Sequence, residues 1–476
     1  MPKRNVLWML AVVAVAVGTA WLMKRTPQAI RRSNAHPDTM VEAYNKILEN
    51  HYPSVDPLEL KRNAVEGMVR RLDPQSVYVP YDKAEAFRKR MMGNALGTGV
   101  ILELSDRGPV IGCVHPNSPA DEAGLVAGDL VVSINDLATF NMNLPQANGH
   151  MSGDQDGEVR LSVISARSAG PPREVKLTVS EYPVETVGGL YRDAGRRWVY
   201  TLDRDEGLAY IRISEFVADT VERFKRAFRR PTLVVRGLVL DLRGNPGGRL
   251  PEAVALANLF LHDEPIVTVL GSRNKPKRHV AHPEGTYPQI PVVVLIDSDT
   301  ASAAEIVAGS LSHADRAILL GTPSRGKHSV QTPLFLRGKL GLLHITTARF
   351  FFPSDMPETT TMPEPNTLPP SAGRPIAPHV LVPSDPDELR ELHILRRRAA
   401  SALSAPTTLP ASQPDGGLGA ELGRKLIKKD AQLSEAIELL KDTARRREIL
   451  RAWAEARERK KRSTTQPSSR GASITP

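Results

Sequence analysis

An unbroken apolar run near the N-terminus is the strongest hydrophobic pattern in the chain. It extends over 18 residues from Val6 to Met23 and follows the basic pair Lys3-Arg4. As a helix it would span about 27 Å, close to the thickness of a bilayer core. One interpretation is a signal peptide cleaved at Gly18-Thr19-Ala20, and the other is an uncleaved anchor. Both predict membrane contact through residues 1–35 and an extracytoplasmic, periplasmic location for the rest of the protein.

Hydrophobic periodicity changes along the remaining chain, from helical to alternating and then to mixed. Apolar residues first recur three or four positions apart, as at Met40, Tyr44 and Ile47, which predicts helices with one apolar face. Short alternating runs separated by turns predict a β-rich domain, and apolar strands alternating with helices predict a covered sheet. We therefore expect a multidomain α/β protein with five parts: a signal peptide or anchor (1–35), a helical N-terminal region (36–92), a β-rich domain (93–181), an α/β core (182–386), and a linker with a basic helical C-terminal region (387–476).

Several elements of the α/β core can be predicted individually. The apolar runs predict four strands, and the amphipathic stretches between them predict three helices. The predicted strands are Leu208–Ile213, Leu238–Leu242, Val292–Ile296 and Ile318–Leu320, and the predicted helices are Thr220–Arg229, Leu250–Leu261 and Ser302–His313.

Charge and cysteine content exclude two classes of function. The net charge is +10, but residues 1–35 carry +6 and residues 387–476 carry +7, which leaves −3 for the middle of the chain. A nucleic-acid-binding core would concentrate positive charge on the folded domain, so no nucleic-acid partner is expected. Cys113 is the one cysteine, which excludes an intrachain disulfide and a cysteine-based zinc site. It lies in an apolar run, as a small core residue would.

The β-rich region carries a pattern of turns and strands that resembles a PDZ domain. The loop Gly97-Thr98-Gly99-Val100 precedes an alternating strand, and a short helix beginning at Pro119 ends at Gly124, before a turn at Gly128-Asp129. Such a module captures a peptide C-terminus: backbone N–H groups of the loop hold the carboxylate while the peptide adds to a sheet edge. Arg167, at the end of a predicted strand, is a further candidate for peptide binding.

Two turns of the α/β core have the composition of ligand-binding helix starts. The segment from Asp241 to Gly248 follows an apolar strand and contains Gly247-Gly248, which allow backbone N–H groups to approach a ligand. The second segment places Ser302 at the start of a helix, where the positive helix end would stabilise charge on its oxygen. Glu305 lies three positions on, so an N-terminal capping box explains Ser302 and Glu305 equally well at this point.

A lysine in a third turn favours a catalytic role for Ser302 over the helix cap. Lys327 lies in Ser324-Arg325-Gly326-Lys327-His328, directly after an apolar strand. Partial burial there would lower its pKa and allow it to act as a base, and a Ser–Lys dyad requires neither histidine nor aspartate. No zinc-peptidase HExxH motif and no G-x-S-x-G elbow occurs in the chain.

Together these segments closely resemble the C-terminal processing peptidases, also called tail-specific proteases. That family has a serine in a TASASE-like motif, a glutamate three residues on, a lysine 25 residues after the serine and a glutamine four beyond it. Ser302, Glu305, Lys327 and Gln331 match this pattern. The likeness also covers the Leu72-Asp73-Pro74 element, the PDZ-like region and the Asp430-Ala431-Gln432-Leu433 segment, in the family's order.

The resemblance implies a role for each matched residue. Ser302 would attack the scissile carbonyl, Lys327 would accept its proton and Gln331 would orient Lys327. The Ala303 N–H, with an N–H from Gly247 or Gly248, would form the oxyanion hole, supported by Glu305. The likeness implies a core of the ClpP/crotonase-like fold, protein or peptide substrates cut near their C-termini, and no metal, nucleotide or other cofactor. A homo-oligomer is compatible with the sequence.

Three departures from the family pattern bear on these expectations. His328 replaces the usual glycine after the lysine, Ala304 replaces a common serine, and Pro378-His379 stands where the family often has Pro-Asp. His328 raises the alternative of a catalytically inactive adaptor that keeps the PDZ domain and the same scaffold. Turnover of a peptide by the wild-type chain separates the peptidase from the adaptor.

Overall fold

The computed structural model describes residues 37–151, 156–166, 170–193, 195–229, 235–271, 275–283, 287, 290–353, 373–400 and 417–465. The predicted signal peptide or anchor lies outside these ranges, as does Arg167. Inside them, no helix combines the length and the apolarity needed to cross a bilayer. The chain divides into two compact units, residues 1–71 and residues 72–476.

In its described residues, 37–71, the first unit contains two helices, α1 (Pro37–Asn50) and α2 (Pro57–Val69). Asp56 begins α2, because its carboxylate accepts two backbone N–H groups of the first turn at 3.1 and 3.3 Å. A proline at the first helical position suits that turn. The apolar face predicted for α1 is not buried by the described residues, since Met40 and Ile47 are exposed.

The second unit begins with strand β1 (Val77–Val79) and helix α3 (Tyr81–Met91) and continues into the β-rich domain. The elements of that domain are β2 (Asn94–Gly97), β3 (Val100–Ser105), β4 (Gly108–Val114), α4 (Pro119–Glu122), β5 (Leu130–Ile134), β6 (Leu137–Ala138), α5 (Leu144–Met151), β7 (Glu158–Ile164), β8 (Arg173–Thr178) and β9 (Ser180–Pro183). The antiparallel order is β3-β4-β5-β7-β8, with β6 on β5, and β2 pairs with β9. Strand β3 therefore lies at a sheet edge, and α5 packs against it.

Among its described residues, the α/β core has two large sheets and one two-stranded sheet, which pairs the second and third of the strands named next. Its strands are β10 (Val187–Gly188), β11 (Tyr191–Arg192), β12 (Trp198–Val199), β13 (Thr201–Asp203), β14 (Leu208–Ile213), β15 (Gly237–Asp241), β16 (Pro265–Gly271), β17 (Lys277–Val280), β18 (Val292–Ile296), β19 (Ala317–Gly321), β20 (Ser329–Phe335), β21 (Leu342–Phe351) and β22 (Val380–Leu381). The main sheet has the order β10-β14-β15-β18-β19-β22 and is parallel from β14 to β22. A second, antiparallel sheet has the order β1-β21-β16-β17, with β20 on β21.

Helices cover both faces of the main sheet. On one face lie α6 (Thr220–Phe228), α7 (Leu250–Asn258) and α8 (Ala303–His313). All five residues of β18 are buried, with Val292, Val294 and Ile296 in one cluster and Val293 and Leu295 in the other. A strand buried on both faces must be apolar throughout, which explains the continuous runs in the sequence.

The basic C-terminal region supplies the second cover of the sheet. It forms α9 (Pro386–Ala400), α10 (Leu418–Lys429), α11 (Ala431–Lys441) and α12 (Thr443–Thr465). Leu433, Ile437 and Leu440 of α11 are buried in the cluster that contains Val293 and Leu295. The region is therefore part of the core.

Candidate active site

Three segments with candidate catalytic residues follow neighbouring strands of the main sheet. The Asp241–Gly248 turn follows β15, Ser302 follows β18 and Lys327 follows β19. These strands are parallel and adjacent, so their carboxyl ends meet at one sheet edge, where α/β proteins form ligand sites. The topology accordingly brings together residues that lie up to 86 positions apart in the sequence.

Ser302 is the N-cap residue of α8, but its backbone is unlike that of an ordinary cap. Its φ is 54° and its ψ is −117°, whereas an N-cap serine normally has an extended backbone. A non-glycine residue in such a conformation costs about 1–3 kcal/mol, and strain of this kind concentrates at functional sites. The helix end directs its positive dipole at the Ser302 side chain.

The Gly247-Gly248 turn lies directly against Ser302. A Cβ atom on Gly247 would lie 2.7 Å from the Ser302 Cβ and 2.9 Å from the Ala303 nitrogen, and one on Gly248 would lie 2.1 Å from a main-chain oxygen of Phe216. Both glycines have positive φ, 105° and 128°. No larger residue fits at either position, so this close approach requires the two glycines.

Glu305 connects the serine and lysine segments. Its fully buried carboxylate accepts the Ser302 N–H at 2.7 Å and the Lys327 N–H at 2.9 Å on one oxygen. The other oxygen accepts the Gly326 N–H at 2.7 Å and the Ser324 hydroxyl at 2.5 Å. Since one oxygen binds both the Ser302 and the Lys327 amide, these backbones lie within two hydrogen-bond lengths of each other.

The capping box predicted as an alternative for Ser302 and Glu305 is present, and its Glu305 half is well formed. The Ser302 hydroxyl makes no side-chain cap hydrogen bond of normal geometry, so that hydroxyl is not committed to the cap. Capping and a chemical role for Ser302 are thus compatible in this fold.

Lys327 is half-buried, and its surroundings lower its pKa from the usual 10.5. Burial is the main cause, because it disfavours the ammonium form, and the positive charge of Arg325 lowers the pKa further. The negative charges of Glu305 and Asp73 act in the opposite direction. The balance favours a neutral amine at lower pH than for a lysine in water.

Gln331 and His328 flank Lys327. The Gln331 amide nitrogen donates to the hydroxyls of Ser329 and Thr346, at 2.9 and 3.0 Å. His328 is buried and stacks on Phe350, with ring centroids 4.8 Å apart. The left-handed backbone of this turn falls on Gly326, with φ of 80°, and not on His328. Histidine therefore occupies the family's glycine position without backbone strain.

A buried ion cluster supports the Asp241–Gly248 turn from the C-terminal helices. Arg243, with 2% of its side chain exposed, donates to the carboxylates of Asp241 and Asp430 and to the Gln432 side chain at 3.0 Å. Burial alone would raise the pKa of Asp241, but the charges of Arg243 and Arg212 hold it well below the usual value. Spacing along the sequence gave no sign of this pairing between distant residues.

The PDZ-like domain presents the expected loop at an available strand edge. Gly97 ends β2, Val100 begins β3, and Gly99 has φ of 83°. A Cβ on Gly99 would lie 2.0 Å from the Ser118 hydroxyl oxygen, so only glycine allows the loop to pack on α4. Thr98 is buried. The loop precedes the edge strand β3, where a peptide strand can be added beside α5.

Comparisons with known proteins agree with this architecture. Residues 207–366 match the family model of peptidase family S41, and residues 110–164 match that of the PDZ domain. The chain is 32% identical over 321 residues to a carboxy-terminal-processing protease of Bartonella bacilliformis. This alignment covers 66% of the present chain and 70% of the Bartonella protein. It is 29% identical over 297 residues to the carboxy-terminal processing protease CtpA of Bacillus subtilis, covering 62% and 61% of the two chains.

Among solved structures, a photosystem II D1 C-terminal processing protease aligns with a TM-score of 0.42 and 23% identity, over 77% of this chain and 91% of that one. The more specific likeness to the ClpP/crotonase-like fold stays a prediction. Sequence identity and the two family matches, taken with the PDZ domain preceding an α/β core, show that the chain belongs to the carboxy-terminal processing proteases of peptidase family S41, which are serine-type peptidases.

Proposed function

We propose that the protein is an endopeptidase in which Ser302 is the nucleophile and Lys327 is the general base. The observation that carries the proposal is the Glu305 carboxylate, one oxygen of which binds the backbone amides of both residues. This shared anchor fixes the serine turn to the lysine turn. A dyad requires such a fixed relation, because proton transfer depends on hydrogen-bond reach.

The reaction begins when the Ser302 hydroxyl oxygen attacks the scissile carbonyl carbon and its proton passes to the Lys327 amine. The tetrahedral intermediate collapses to an acyl-enzyme as the Lys327 ammonium donates the proton to the departing amine. Water then attacks the ester carbonyl as Lys327 accepts its proton, and Lys327 returns that proton to the Ser302 oxygen as the acyl–oxygen bond breaks. The lowered pKa of Lys327 makes the required neutral amine accessible, and Gln331 would orient it.

The oxyanion hole is formed by the N–H groups of Ala303 and Gly248. The Gly247 N–H already donates to the Asn245 side chain at 2.8 Å, which favours Gly248 over Gly247 as the second donor. Gly247 is required for a different reason: it has no side chain, and a Cβ at this position would collide with Ser302 and with the Ala303 nitrogen. Donors aimed at the developing negative charge supply much of the rate acceleration in acyl transfer.

The PDZ domain supplies substrate recognition. A substrate C-terminus would add as a strand along β3, and its carboxylate would bind N–H groups of the Gly97–Val100 loop. Cleavage would then occur near the C-terminus of the captured protein. The N-terminal apolar segment favours exported or envelope proteins as substrates, cut outside the cytoplasm.

The test compares cleavage of an unstructured protein by wild type and by two variants, Ser302→Ala and Lys327→Ala. We expect both to reduce kcat/KM by at least about 10³-fold, because each removes a participant in the chemical step. Matched controls are Ser298→Ala, an exposed serine four residues upstream, and Lys277→Ala, an exposed lysine on β17. Full activity in either dyad variant contradicts the proposal.

The inactive-adaptor alternative was suggested by His328, and the unstrained backbone of that residue removes its main support. The same assay distinguishes the two functions, since an adaptor would bind C-terminal peptides without turning them over.

A further inference from the structure

Asp73 lies in the turn before β1 and binds a group of polar residues next to the proposed dyad. One carboxylate oxygen accepts the backbone N–H groups of Gln75 and Ser76, both at 2.9 Å. The other accepts the Ser76 hydroxyl at 2.7 Å. The first oxygen also accepts the hydroxyl of Thr346 at 3.2 Å, 273 residues away in the sequence. The turn is thereby tied to β21.

Thr346 passes this contact on to Gln331. The two residues are cross-strand partners in the β20–β21 ladder, and the Gln331 amide nitrogen lies 3.0 Å from the Thr346 hydroxyl oxygen. A hydroxyl has one proton, and a carboxylate can only accept. Because Thr346 donates its proton to Asp73, it can only accept from Gln331, so the amide nitrogen of Gln331 must face it.

This directionality determines where the Gln331 carbonyl oxygen points. Both amide protons are used, one toward Thr346 and one toward the Ser329 hydroxyl. With the amide flipped, its oxygen would face a threonine oxygen whose proton is already committed to Asp73. The carbonyl oxygen, an acceptor only, is therefore kept on the side opposite these two hydroxyls and available to an ammonium group.

We propose that Asp73, acting through the Thr346 hydroxyl, is a positioning residue that fixes the Gln331 amide so that its oxygen faces the Lys327 ammonium formed during catalysis. The inference rests on the proposed function and extends it by a carboxylate from outside the α/β core. Asp73 would stabilise the cationic state of the base, as the orienting carboxylate does in a serine–histidine–aspartate triad.

The charges around Lys327 are consistent with this role. Arg325 lowers the pKa of Lys327 in addition to the effect of burial, and Glu305 and Asp73 raise it. His344, on β21, is half-buried; burial lowers the pKa of His344, and the positive charge of Lys327 lowers it further. Of these two carboxylates, Asp73 is the one that is hydrogen-bonded to Thr346 and, through it, to Gln331.

A purely structural role for Asp73 is the competing explanation, since it also caps the turn at residues 74–76. Asp73→Asn separates the two roles. The asparagine carbonyl oxygen can still accept the backbone N–H groups of Gln75 and Ser76, but the negative charge is lost. The same oxygen also accepts the Thr346 hydroxyl, so the variant keeps the geometry of the relay but offers a neutral and weaker acceptor, while its NH₂ group faces the Ser76 hydroxyl.

A second pair of variants breaks the relay at Thr346 and leaves Asp73 intact. Thr346→Val removes the hydroxyl but keeps the backbone N–H that donates to Ser76 at 3.1 Å. Thr346→Ser restores the hydroxyl in the same place and serves as the rescue. If Asp73→Asn does not fold, this pair still tests the inference.

Two measurements are made on each variant. The first is kcat and KM for an unstructured substrate. The second is the pKa of Lys327, obtained from pH-dependent acylation by acetic anhydride and read by mass spectrometry of the Lys327 peptide.

We expect Asp73→Asn and Thr346→Val to lower kcat about tenfold with KM changed less than about twofold, as for other supporting residues behind a reactive group. Asp73→Asn should also lower the pKa of Lys327, because it removes a negative charge. Thr346→Ser should recover wild-type kcat.

Wild-type kcat and an unchanged pKa of Lys327 in folded Asp73→Asn would overturn the inference, as would failure of Thr346→Ser to recover the kcat lost in Thr346→Val. Failure of the proposed function looks different, because Ser302→Ala would then retain activity. The acylation experiment needs no turnover, so it tests the effect of Asp73 on Lys327 in either case.

Discussion

At the scale of single residues, the site depends on a buried charge whose hydrogen bonds are complete. Glu305 is 0% exposed and accepts three backbone N–H groups and one hydroxyl. A buried carboxylate is tolerated when its lone pairs are satisfied in this way. The sequence motif predicted Glu305 beside Ser302 on the helix, but it could not show that the same carboxylate also holds the lysine turn.

Glu305→Gln should destabilise the protein by about 2–4 kcal/mol and abolish peptidase activity. The replacement amide has one acceptor oxygen, so even in its better orientation its NH₂ group faces the Gly326 N–H and leaves that donor without an acceptor in a buried site. Urea unfolding at pH 7 measures the stability change. Ser324→Ala is the matched control: it removes the hydroxyl that donates to Glu305 and accepts the Ile376 N–H, leaves the three N–H bonds of the carboxylate intact, and should cost less, about 1–2 kcal/mol. Equal stability of Glu305→Gln and wild type would contradict this account.

At the scale of elements, the sequence predicted strands best where they are buried on both faces. β14 and β18 begin and end at the predicted residues. The five residues of β18 are all apolar, and such a continuous run has few alternative structures. The predicted helix at 250–261 is shorter in the structure and ends at Asn258. Its last apolar residues, Leu259 to Leu261, are buried in the loop that follows, so hydrophobicity there reflects burial rather than helix.

Contacts between distant elements could not be predicted in the same way. The Asp73–Thr346 hydrogen bond joins residues 273 positions apart, and the Arg243–Asp430 ion pair joins residues 187 apart. Single-residue types and local spacing contain no information on such pairings, which follow from sheet order. The apolar face predicted on α1 illustrates a second limit of sequence-based prediction. Periodicity predicts that a helix has an apolar face but not what covers that face, and Met40 on this face is exposed.

His379 contacts β19, α12 and α8, where the Ser312 hydroxyl lies 3.4 Å from its Nε2, and it gives a prediction at this scale. Its Nδ1 accepts the Leu319 N–H of β19 at 2.8 Å, and its ring lies 4.6 Å from that of Trp453 in α12. Burial lowers the pKa of His379 to about 4, with contributions from the positive charges of Arg457 and His313. The neutral ring is thus part of the folded structure.

The pH dependence follows from the lowered pKa. Below about 6.5 the unfolded chain binds a proton at His379 that the folded chain does not bind until about pH 4, so stability falls as pH drops through this window. The loss of unfolding free energy between pH 7 and pH 5 should be about 2 kcal/mol larger in wild type than in His379→Asn, whose side-chain oxygen can still accept the Leu319 N–H. His262→Asn, at an exposed histidine, should respond to pH like wild type. A His379→Asn variant with the wild-type pH response would refute this prediction.

At the scale of the whole molecule, the C-terminal helices complete both the core and the site. They cover one face of the main sheet, and Asp430, between α10 and α11, pairs with Arg243 beside the turn that carries Gly247 and Gly248. α9 also reaches the PDZ domain, where Arg397 pairs with Glu103 of β3. The C-terminal region, predicted from the sequence as a linker with basic helices, is therefore part of the architecture that positions the oxyanion turn.

Asp430→Asn tests this dependence, because it leaves the Arg243 guanidinium buried with one of its two carboxylate partners removed. Both side chains are about 2% exposed, and two hydrogen bonds of 2.8 and 2.9 Å join them. Breaking a buried pair from one side typically costs about 3–5 kcal/mol, and the asparagine amide would recover little of it since one of its groups is itself a donor. We also expect lower kcat, because Arg243 immediately precedes the oxyanion turn.

The control variant is Lys441→Ala. Lys441 is the last residue of α11, and its ion pair with Asp203 of β13 is partly exposed, so its loss should cost less than about 1 kcal/mol. Urea unfolding and peptidase assays on the two variants decide the matter: a similarly small loss in both would mean that the C-terminal helices merely cover the sheet, whereas a large loss confined to Asp430→Asn means that they hold the catalytic turn in place.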